Sequence, residues 1–462
     1  MKIMLLSGGS GKRLWPLSNN SRSKQFLKIL RGPETQLESM VQRVWRQLKS
    51  TKLDEHAYIA TCEEHVGLIR SQLGDDVRII IEPSRRDTFP AIALATSYLH
   101  SLEKIDEEEV VCVLPVDPFV DDAFFDTLKD LQDILISSSA DLALLGVVPT
   151  YPSAKYGYIL PSIKSHHSQL PYQVASGFIE KPDEEAAQQL IDKKALWNCG
   201  VFAFKIKFLL QFLSNRKMPK TYEELRNSYH TLPEISFDYE VVEKSSNIVI
   251  KKYDGSWKDL GTWNTLTDEI GLRQIGPGII SANCKNTYLV NELNLPFILQ
   301  GLSDVIVAAS PDGVLVTQKF TSDKIKSLVL GINSRPMYEE RHWGKYQVLD
   351  YERAGEQKVL TKRLMVYAGK NLSYQTHEKR SEVWTVVNGE GLFAYEDKIY
   401  PVKPGSVLQI PAGAKHSIKA ITDLQIIEVQ MGTDLVEEDI TRICMSWAEV
   451  EKRCTIQDHD QS

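Results

Sequence analysis

The N-terminal segment has the composition of a loop that binds phosphate. An apolar run at 3–6 leads into SGGSGKRLWPL at 7–17, where three glycines fall within four positions. Glycines let backbone N–H groups approach an anion closely, and Lys12, Arg13 and Lys24 add positive charge beside them. The spacing fits neither the Walker pattern nor the dinucleotide fingerprint. From these residues alone, a phosphate loop and a plain glycine-rich strand-to-helix turn are both open.

Two aspartates lie in segments suited to holding a hard metal ion. Asp117 follows the apolar run VCVLPV at 111–116, and Asp259 lies between tryptophans in WKDLGTW at 257–263. Carboxylate oxygens are the protein ligands that Mg²⁺ prefers when it also binds nucleotide phosphates. Taken alone, Asp117 is better explained as a helix N-cap, and Asp259 could belong to an ordinary turn.

The last third of the chain contains a second set of possible metal ligands. QTHEKRSEVW begins at Gln375, and GSVLQIPAGAKH ends at His416. Because alternate residues of a strand face one side, Gln375 and His377 project together, and Glu382 can join them from the next strand. Two imidazoles, a carboxylate and an amide suit Zn²⁺ or another divalent ion. The alternative is a metal-free barrel whose polar groups satisfy one another or meet solvent.

These residues need a scaffold that brings distant segments to one edge. From residue 1 to about 270, short apolar runs alternate with segments whose apolar residues recur at helical spacing, which predicts an α/β fold with a mostly parallel sheet. Such sheets bind ligands at the carboxyl ends of their strands. The predicted strands are 4–6, 57–60, 77–81, 110–114, 142–147, 174–178 and 200–204, and the clearest helices are 36–48 and 91–103.

Beyond residue 270 the pattern changes to short β-type runs broken by Asn and Gly. Residues 319–338 are predicted to be a short helix and linker that could pack on either neighbour. The last part looks all-β until a closing helix near Glu437. A chain of 462 residues is too long for one ordinary core, so we expect two or three domains. The short runs are 278–282, 287–291, 304–309 and 313–317, and the expected domains are 1–270, 271–338 and 339–462.

Composition and charge narrow the class of protein. A net charge of −7 argues against a general nucleic-acid binder. No stretch approaches the roughly 18 apolar residues of a membrane helix, and the N-terminal apolar run is too short for a signal peptide. The six cysteines are scattered without a C-x-x-C pair, which favours reduced thiols over disulfides or a zinc finger. We expect a cytoplasmic enzyme without a nucleic-acid or membrane partner.

Some seven short motifs, in order, resemble those of one known family. GGxGxRLxPL followed by KQF resembles the signature of sugar-1-phosphate nucleotidyltransferases, and Trp15 makes it similar to the mannose-1-phosphate guanylyltransferase branch. The segments EPSRRDTFPA at 82–91, EKP at 180–182, WNCG at 197–200 and SFDY at 236–239 are similar to later segments of that family.

The resemblance implies roles for residues of the N-terminal half. Arg13 meets the nucleotide phosphates, Lys24 stabilises the transition state, and Asp117 and Asp259 hold Mg²⁺. The implied nucleotide contacts are Leu6, Gly8, Gly9, Gly11, Lys12, Arg13, Glu82, Arg86, Asp87 and Thr88, and the implied sugar-phosphate contacts are Gly157, Tyr158, Glu180, Lys181 and Asn198.

Three departures from the family pattern concern specificity. Asp87 replaces an Asn, Pro118 a His, and Cys199 a Ser. A carboxylate only accepts hydrogen bonds, whereas an amide also donates them. The choice of base and sugar therefore stays open.

The C-terminal motifs resemble those of cupins, and in particular the mannose-6-phosphate isomerase half of bifunctional guanylyltransferase–isomerase enzymes. Together with the N-terminal resemblance, these motifs imply three parts: a Rossmann-like nucleotidyltransferase domain, a short β-helix-like segment and a cupin barrel (a double-stranded β-helix). In such an isomerase a metal polarises the sugar carbonyl, a base moves a proton, and a cation such as Arg380 or Lys362 holds the phosphate or enediolate. Val383 stands where the family has His, and the family's Glu-Asn after His416 is absent, so isomerase activity stays open.

The implied reaction is transfer of a guanylyl group from GTP to mannose 1-phosphate with release of pyrophosphate. The implied second reaction interconverts mannose 6-phosphate and fructose 6-phosphate. One alternative is the same transfer with another sugar 1-phosphate or nucleotide. Another is a barrel that only senses sugar phosphate or forms a dimer. We expect a homodimer, because cupins often dimerise.

Overall fold

The computed structural model of the chain describes residues 1–9, 12–19, 21–162, 170–332, 335–436 and 438–456. They form two compact units. The first unit contains Met1–Ile275, Asp304–Ile306 and Thr317–Leu328, and the second contains Gly276–Ser303, Val307–Val316 and the residues from Val329 onward. Residues of the predicted middle domain are divided between the two.

The first unit is built on a nine-stranded sheet with a doubly wound centre. Strand Lys2–Leu6 lies between Ala57–Cys62 and Val110–Pro115 and is parallel to both. The chain adds strands on one side of Lys2–Leu6 and then on the other, so the loop after Leu6 lies at the topological switch point. In chain order the strands are Lys2–Leu6, Ala57–Cys62, Ile79–Glu82, Val110–Pro115, Leu142–Val147, Tyr158–Pro161, Gln173–Ile179, Leu196–Lys205 and Ile248–Tyr253.

Two strands interrupt the parallel order. Leu196–Lys205 is antiparallel to both Val110–Pro115 and Leu142–Val147, and Gln173–Ile179 is antiparallel to Ile248–Tyr253. A reversed strand begins at the edge where its parallel neighbours end. The N-terminal end of Leu196–Lys205 therefore lies at the ligand-binding edge of the sheet.

Helices cover both faces of this sheet. Ile3 and Leu5 belong to one buried apolar cluster and Met4 to another, as expected for a strand whose successive side chains face opposite layers. The helices are Met40–Ser50, Glu63–Leu73, Thr88–Ser101, Ala123–Ser138, Glu184–Asp192, Ile206–Asn215, Tyr222–Asn227 and Trp263–Glu269.

The two helices that the sequence predicted most clearly are present with shifted starts. The helix predicted from residue 36 begins at Met40, because Ser39 and Gln42 form a capping box. The residues before it form strand Leu37–Glu38, which pairs with Leu30–Arg31. The helix predicted from residue 91 begins earlier, at Thr88, where the Asp87 side chain accepts a hydrogen bond from the Thr88 amide (2.7 Å).

The segment after residue 275 contains short strands of the kind found in β-helices. Gly278–Ile280 pairs in parallel with Phe297–Leu299, and the nearby strands are Tyr288–Asn291, Val305–Ser310 and Gly313–Gln318. Next come the 3₁₀ helix Lys319–Lys324 and the helix Ile325–Val329. Lys319 contacts Asp268 (2.5 Å). The 3₁₀ helix therefore packs on the first unit, a point that the sequence left undecided.

The rest of the second unit is a barrel of two six-stranded sheets. One sheet contains Tyr338–Arg341, Gly344–Ala354, Gln357–Val366, Arg380–Asn388, Val407–Ile410 and Leu424–Gly432, and the other contains Tyr374–Thr376, Gly391–Tyr395, Lys398–Val402, His416–Ala420, Thr441–Cys444 and Thr455–Ile456. This confirms the predicted all-β C-terminal fold.

The closing helix was predicted too early. Glu437 lies outside the described residues, and the helix is Trp447–Arg453, after strand Thr441–Cys444. Its true start signal is the capping box formed by Ser446 and Glu449.

Strand Arg380–Asn388 alternates between the barrel interior and exterior from Arg380 to Val387. Arg380, Glu382 and Trp384 are buried, whereas Val383 is half-buried on the other face. The prediction that residue 383 faces away from the metal ligands is confirmed.

All six cysteines are unpaired thiols. In the part of the chain that the structure describes, every helix is too short or too polar to span a bilayer.

Replacing Trp384 by Ala is expected to destabilise the barrel by about 3–5 kcal/mol, because it removes a fully buried ring from the core. Val383→Ala, on the other face of the same strand, is the matched control and is expected to cost about 1 kcal/mol or less. Urea unfolding of the two variants measures the difference. Equal losses would contradict the inward–outward alternation.

Candidate functional site

The glycine loop follows the end of strand Lys2–Leu6, as the sequence predicts, and there it lies at the switch point of the sheet. Gly9 has φ +96°, a left-handed conformation that favours glycine. The Ser7 amide donates to the carbonyl of Ala60 (2.9 Å), and the carbonyl of Leu6 accepts from Val116 (3.2 Å), so both neighbouring strands hold the loop's start. Gly11 lies outside the described residues. Lys12 and Arg13 follow in the 3₁₀ helix Lys12–Leu14.

Lys24 lies between the two predicted metal-binding aspartates. Its Nζ is 2.6 Å from Asp117 Oδ2 and 3.5 Å from Asp259 Oδ1. An antiparallel ribbon explains this meeting, because Trp257–Asp259 pairs with Pro118–Val120 so that Asp259 lies opposite Pro118, next to Asp117. The predicted trio is thus brought together by strand register.

The charge of this trio is unbalanced. Burial alone would lower the pKa of Lys24, but Asp117 and Asp259 more than offset burial and raise that pKa above its ordinary value. Lys24 therefore stays an ammonium. It neutralises one of two carboxylate charges, so one negative charge remains in a cavity that Asp117 and Asp259 both line. The two carboxylates fit a divalent cation.

Most of the predicted sugar-phosphate contacts meet in the same cavity of about 240 Å³. Tyr158 is paired in register with both Ile179 and Trp197. Because both pairings are antiparallel, Gly157, the residue before Tyr158, lies beside Glu180 and Asn198, the residues after Ile179 and Trp197. These three residues and Lys181 line the cavity beside Lys24, Asp117 and Asp259.

Glu180 has a carboxylate oxygen available for a ligand. Its Oε1 pairs with Lys181 Nζ (2.6 Å), while its buried Oε2 has no hydrogen-bond partner among the described residues. A side chain at Gly157 would collide with this Oε2 and with the Phe178 ring, so any larger residue there would displace one or both of these side chains. A buried acceptor without a donor is costly. A sugar hydroxyl is a suitable donor.

Asp238 belongs to this cavity, although the sequence did not assign it to the site. Its Oδ1 accepts from Asn198 Nδ2 (2.7 Å), which leaves Asn198 Oδ1 to accept from the Gly200 amide (3.1 Å). Burial, followed by the nearby Glu180, raises the pKa of Asp238 to about 7. The available signal was the SFDY motif, whose Asp begins the π-helical turn Asp238–Val242.

Tyr158 is the exception among the predicted sugar contacts. Its side chain is fully buried in the core, and its hydroxyl bonds to the backbone of Ser153. Strand alternation sends the Tyr158 ring inward. A direct role for this side chain is therefore wrong, and only its backbone remains near the cavity.

The predicted base-binding segment lies at the end of strand Ile79–Glu82, beside the glycine loop. Glu82 is buried, approaches Gly8 and accepts from the Tyr229 hydroxyl (3.0 Å). Arg86 Nε donates to the Leu232 carbonyl (2.8 Å), and Thr88 Oγ1 accepts from the Phe237 amide (2.8 Å).

Asp87 uses its carboxylate locally, to cap the helix that follows. In this conformation it has φ +67° and offers the site an acceptor only. Nucleotide contact by Asp87 and the neighbouring predicted residues stays a prediction.

The second unit has a separate polar cluster inside its barrel. His377 Nε2 lies 3.4 Å from Glu382 Oε1, and His416 Nε2 lies 3.7 Å from Glu382 Oε2. The ligand atoms of these three buried residues lie within 4.8 Å of one another. The structure therefore brings together three of the four predicted ligands.

Hydrogen bonds determine which ring nitrogen of His377 and His416 carries the proton. His377 Nδ1 bonds to the Asp439 carbonyl (2.5 Å) and His416 Nδ1 to the Ala414 carbonyl (3.0 Å). Both Nδ1 atoms must carry a proton, so both Nε2 lone pairs point towards Glu382. His416 Nε2 is buried without a partner among the described residues. His377 Nε2 has Arg380 and Gln375 within 3.2 Å. The His416 Nε2 lone pair, by contrast, faces the Glu382 carboxylate without a cation beside it in the described part of the chain, so the cluster fits a divalent metal.

Gln375 and Arg380 lie at the edge of this cluster. The amide nitrogen of Gln375 is 3.2 Å from His377 Nε2, and its oxygen accepts from Ser373 (2.6 Å). Gln375 would have to turn its amide to ligate a metal. Arg380 donates to Glu382 Oε1 (2.8 Å) and lies 3.2 Å from His377 Nε2.

Two further polar residues, Glu428 and Gln430, line the barrel interior and were not identified from the sequence. Trp384 Nε1 donates to Glu382 (3.0 Å) and Glu428 (3.1 Å), and Gln430 donates to Glu382 (3.2 Å). Lys362 is buried opposite Glu428 in the ladder. Burial, with Glu382 nearby, raises the pKa of Glu428 to about 7. Strand alternation could have identified them, because Glu428 and Gln430 lie on the same inward face as the apolar residues Leu424 and Ile426.

Comparison with known proteins assigns both units. A family model described as nucleotidyl transferase matches residues 2–271, and one described as mannose-6-phosphate isomerase C-terminal matches residues 334–444. The chain belongs to the nucleotidyl transferase family and is an enzyme of that class.

Its relatives are similar over nearly the whole chain. A xanthan biosynthesis protein of Xanthomonas campestris is 31% identical over 95% of this chain and 97% of its own. A Salmonella montevideo protein named mannose-1-phosphate guanylyltransferase is 30% identical over 95% of this chain and 98% of its own. A solved Thermus thermophilus structure, described as a mannose-1-phosphate geranyltransferase, has a TM-score of 0.60 and 27% identity, and the match covers 72% of this chain and 99% of that chain.

Burial raises the pKa of Glu82 to about 7, while the Tyr229 hydrogen bond opposes the shift. The folded state therefore holds the Glu82 proton at pH values where the unfolded chain has lost it. Stability should fall as pH rises from about 4.5 to 7, by about 3 kcal/mol at most. Urea unfolding between pH 5 and 8 measures this fall, which Glu82→Gln should reduce. Identical pH profiles for the two proteins would contradict the shift.

Proposed function

We propose that the first unit transfers a guanylyl group from GTP to mannose 1-phosphate and releases pyrophosphate. The observation that carries the proposal is the trio of Lys24, Asp117 and Asp259 at the wall of a cavity that also contains one unsatisfied acceptor for a sugar hydroxyl, Glu180 Oε2. The matches to nucleotidyl transferases and to named mannose-1-phosphate guanylyltransferases support it.

In this reaction an oxygen of the sugar phosphate forms a bond to the α-phosphorus of GTP, and the bond from that phosphorus to the β-phosphate oxygen breaks. Pyrophosphate leaves with the electron pair, and no covalent enzyme intermediate is needed. The protein contributes position and charge compensation. Asp117 and Asp259 would hold Mg²⁺, which when bound offsets negative charge on the phosphates.

Each part of the cavity has a task in this proposal. The Lys24 ammonium stabilises charge that develops on the phosphates. Glu180 Oε2 accepts from a sugar hydroxyl, and Asp238 keeps the Asn198 amide oriented towards the sugar. Lys181 pairs with Glu180 at the cavity wall, and its ammonium would also attract the sugar phosphate. Arg13 and the glycine loop receive the triphosphate.

The choice of guanine rests on the named relatives, because Asp87 as placed offers no donor to a base. The alternative is therefore the same transfer with another nucleotide or hexose 1-phosphate. We place the enzyme in the cytoplasm, where its six thiols stay reduced. Homodimer formation stays a prediction from the sequence.

For the barrel we propose a divalent metal site formed by His377, Glu382 and His416, with Zn²⁺ as one suitable ion. The metal when bound polarises a sugar carbonyl. Arg380 and Lys362 provide cationic charge in the same interior, as an isomerase acting on mannose 6-phosphate requires. The specific observation in favour is the orphaned His416 Nε2. The alternative is a barrel that senses sugar phosphate without turnover.

Asp259→Asn is expected to lower kcat for pyrophosphate release about 100- to 1000-fold, because one charge of the cation site is lost. The assay uses Mg²⁺, four nucleoside triphosphates and several hexose 1-phosphates. Asp254→Asn, at an exposed neighbouring residue paired with Lys252, is the matched control. Preference for GTP with mannose 1-phosphate supports the proposal. Unchanged turnover by Asp259→Asn would refute the metal assignment, and preference for another pair would favour the alternative.

Metal analysis of the purified protein tests the barrel. We expect about one divalent ion per chain at this site in the wild type and almost none in His416→Ala, because loss of one ligand sharply weakens such a site. His342→Ala removes an exposed imidazole of the same unit and is the control. A wild-type barrel that cannot be loaded with Zn²⁺, Mn²⁺, Co²⁺ or Ni²⁺ would show that the cluster is a metal-free polar core.

A further inference from the structure

A buried hydroxyl and a buried imidazole lie behind the glycine loop. Ser23 and His65 are both fully buried. Ser23 Oγ donates to the carbonyl of Gly9 (2.7 Å) and lies 3.0 Å from His65 Nε2. The His65 ring also packs edge-on against Phe26, with 5.0 Å between ring centroids. The contacts connect the loop, the segment around Lys24 and helix Glu63–Leu73.

The number of available protons limits the directions that the hydrogen bonds around Ser23 can take. Ser23 has a single hydroxyl proton, which goes to the Gly9 carbonyl, so Ser23 Oγ can only accept from His65. Burial, reinforced by Arg85, lowers the pKa of His65 to about 4, so the ring is neutral near pH 7. Arg85 Nη2 lies 3.3 Å from the same nitrogen and also donates to Cys62 Sγ (3.4 Å). Arg85 can only donate, so it and Ser23 make opposing demands on His65 Nε2, whereas the bond from Ser23 to the Gly9 carbonyl does not depend on the His65 tautomer.

The position of Ser23 in the chain makes this network relevant to the reaction. Ser23 is the residue before Lys24, whose ammonium contacts Asp117 and Asp259. Gly9 lies in the loop expected to hold the triphosphate. One buried side chain thus connects the backbone of the phosphate loop to the backbone that carries the lysine.

We propose that Ser23 and His65 are positioning residues that hold the glycine loop and Lys24 in one arrangement, so that triphosphate binding and the Lys24 contacts are set together. This inference rests on the proposed nucleotidyl transfer. Neither side chain touches substrate, and both act through Gly9 and Lys24.

The test compares two pairs of variants. Ser23→Ala removes the bridging oxygen, and Ser23→Thr keeps it. His65→Leu removes the ring nitrogen beside Ser23, and His65→Gln keeps a polar group near the position of Nε2. For each protein, calorimetry measures the affinity for inorganic tripolyphosphate, and steady-state kinetics give kcat and separate KM values for GTP and mannose 1-phosphate. Thermal unfolding checks that each variant folds.

We expect Ser23→Ala and His65→Leu to weaken tripolyphosphate binding about tenfold and to lower kcat, the scale of one lost hydrogen bond that positions reacting groups. KM for mannose 1-phosphate should change less than about twofold, and the Thr and Gln variants should stay within about threefold of wild type. A purely structural role would lower the melting temperature without this separation of KM values.

Wild-type affinity for tripolyphosphate in a folded Ser23→Ala variant would overturn the inference. So would an equal rise of both KM values, or failure of the Thr and Gln variants to restore binding. If the wild type binds tripolyphosphate but does not turn over GTP with mannose 1-phosphate, the proposed substrates are wrong while the binding comparison still tests Ser23 and His65. If the wild type does not bind tripolyphosphate, this inference fails, whereas pyrophosphate release from GTP and mannose 1-phosphate still tests the proposed reaction separately.

Discussion

The attraction between the Lys24 ammonium and two carboxylates is the constraint on which the first unit's site depends. Asp117 and Asp259 come from distant parts of the chain, and without a cation between them they would repel each other in a partly buried cavity. One ammonium cannot balance both charges. The site therefore holds its shape before any ligand arrives and still favours a second cation that would come with the nucleotide.

In the barrel, by contrast, buried hydrogen-bond acceptors outnumber the cations near them. Its polar residues are almost completely removed from water, and each depends on a partner inside the same cluster. Two imidazoles turn their lone pairs to one carboxylate, and a second carboxylate, Glu428, lies next to the first and shares the Trp384 N–H with it. Buried acceptors in this number are stable only when cations or protons compensate them. Arg380 and Lys362 supply part of this compensation.

The sequence predicted those features that depend on local pattern. The apolar runs predicted most strands of the sheet, and motif order identified Lys24, Asp117, Asp259, Glu180 and Asn198, which the structure brings to one cavity. Parity correctly turned Val383 away from the metal ligands.

Features that depend on long-range register were not predicted. Tyr158 was assigned to the sugar site by the family resemblance, yet strand pairing turns its ring into the core. Asp238 was overlooked because its place beside Asn198 comes from a π-helical turn, for which the sequence has no clear pattern. Glu428 and Gln430 gain a role only through strand pairing, which puts Gln430 opposite Glu382 and Glu428 opposite Trp384.

The ribbon between Pro118–Val120 and Trp257–Asp259 has a consequence for synthesis of the chain. A nascent chain that has not yet reached Trp257 already contains the glycine loop, Lys24 and Asp117, but it lacks the second carboxylate. Trp263, whose Nε1 donates to the carbonyl of Trp15 (3.0 Å), is also synthesised after most of the first unit. The ribosome must therefore deliver almost the entire first unit before the nucleotide site is complete, so an incomplete chain does not carry a finished site.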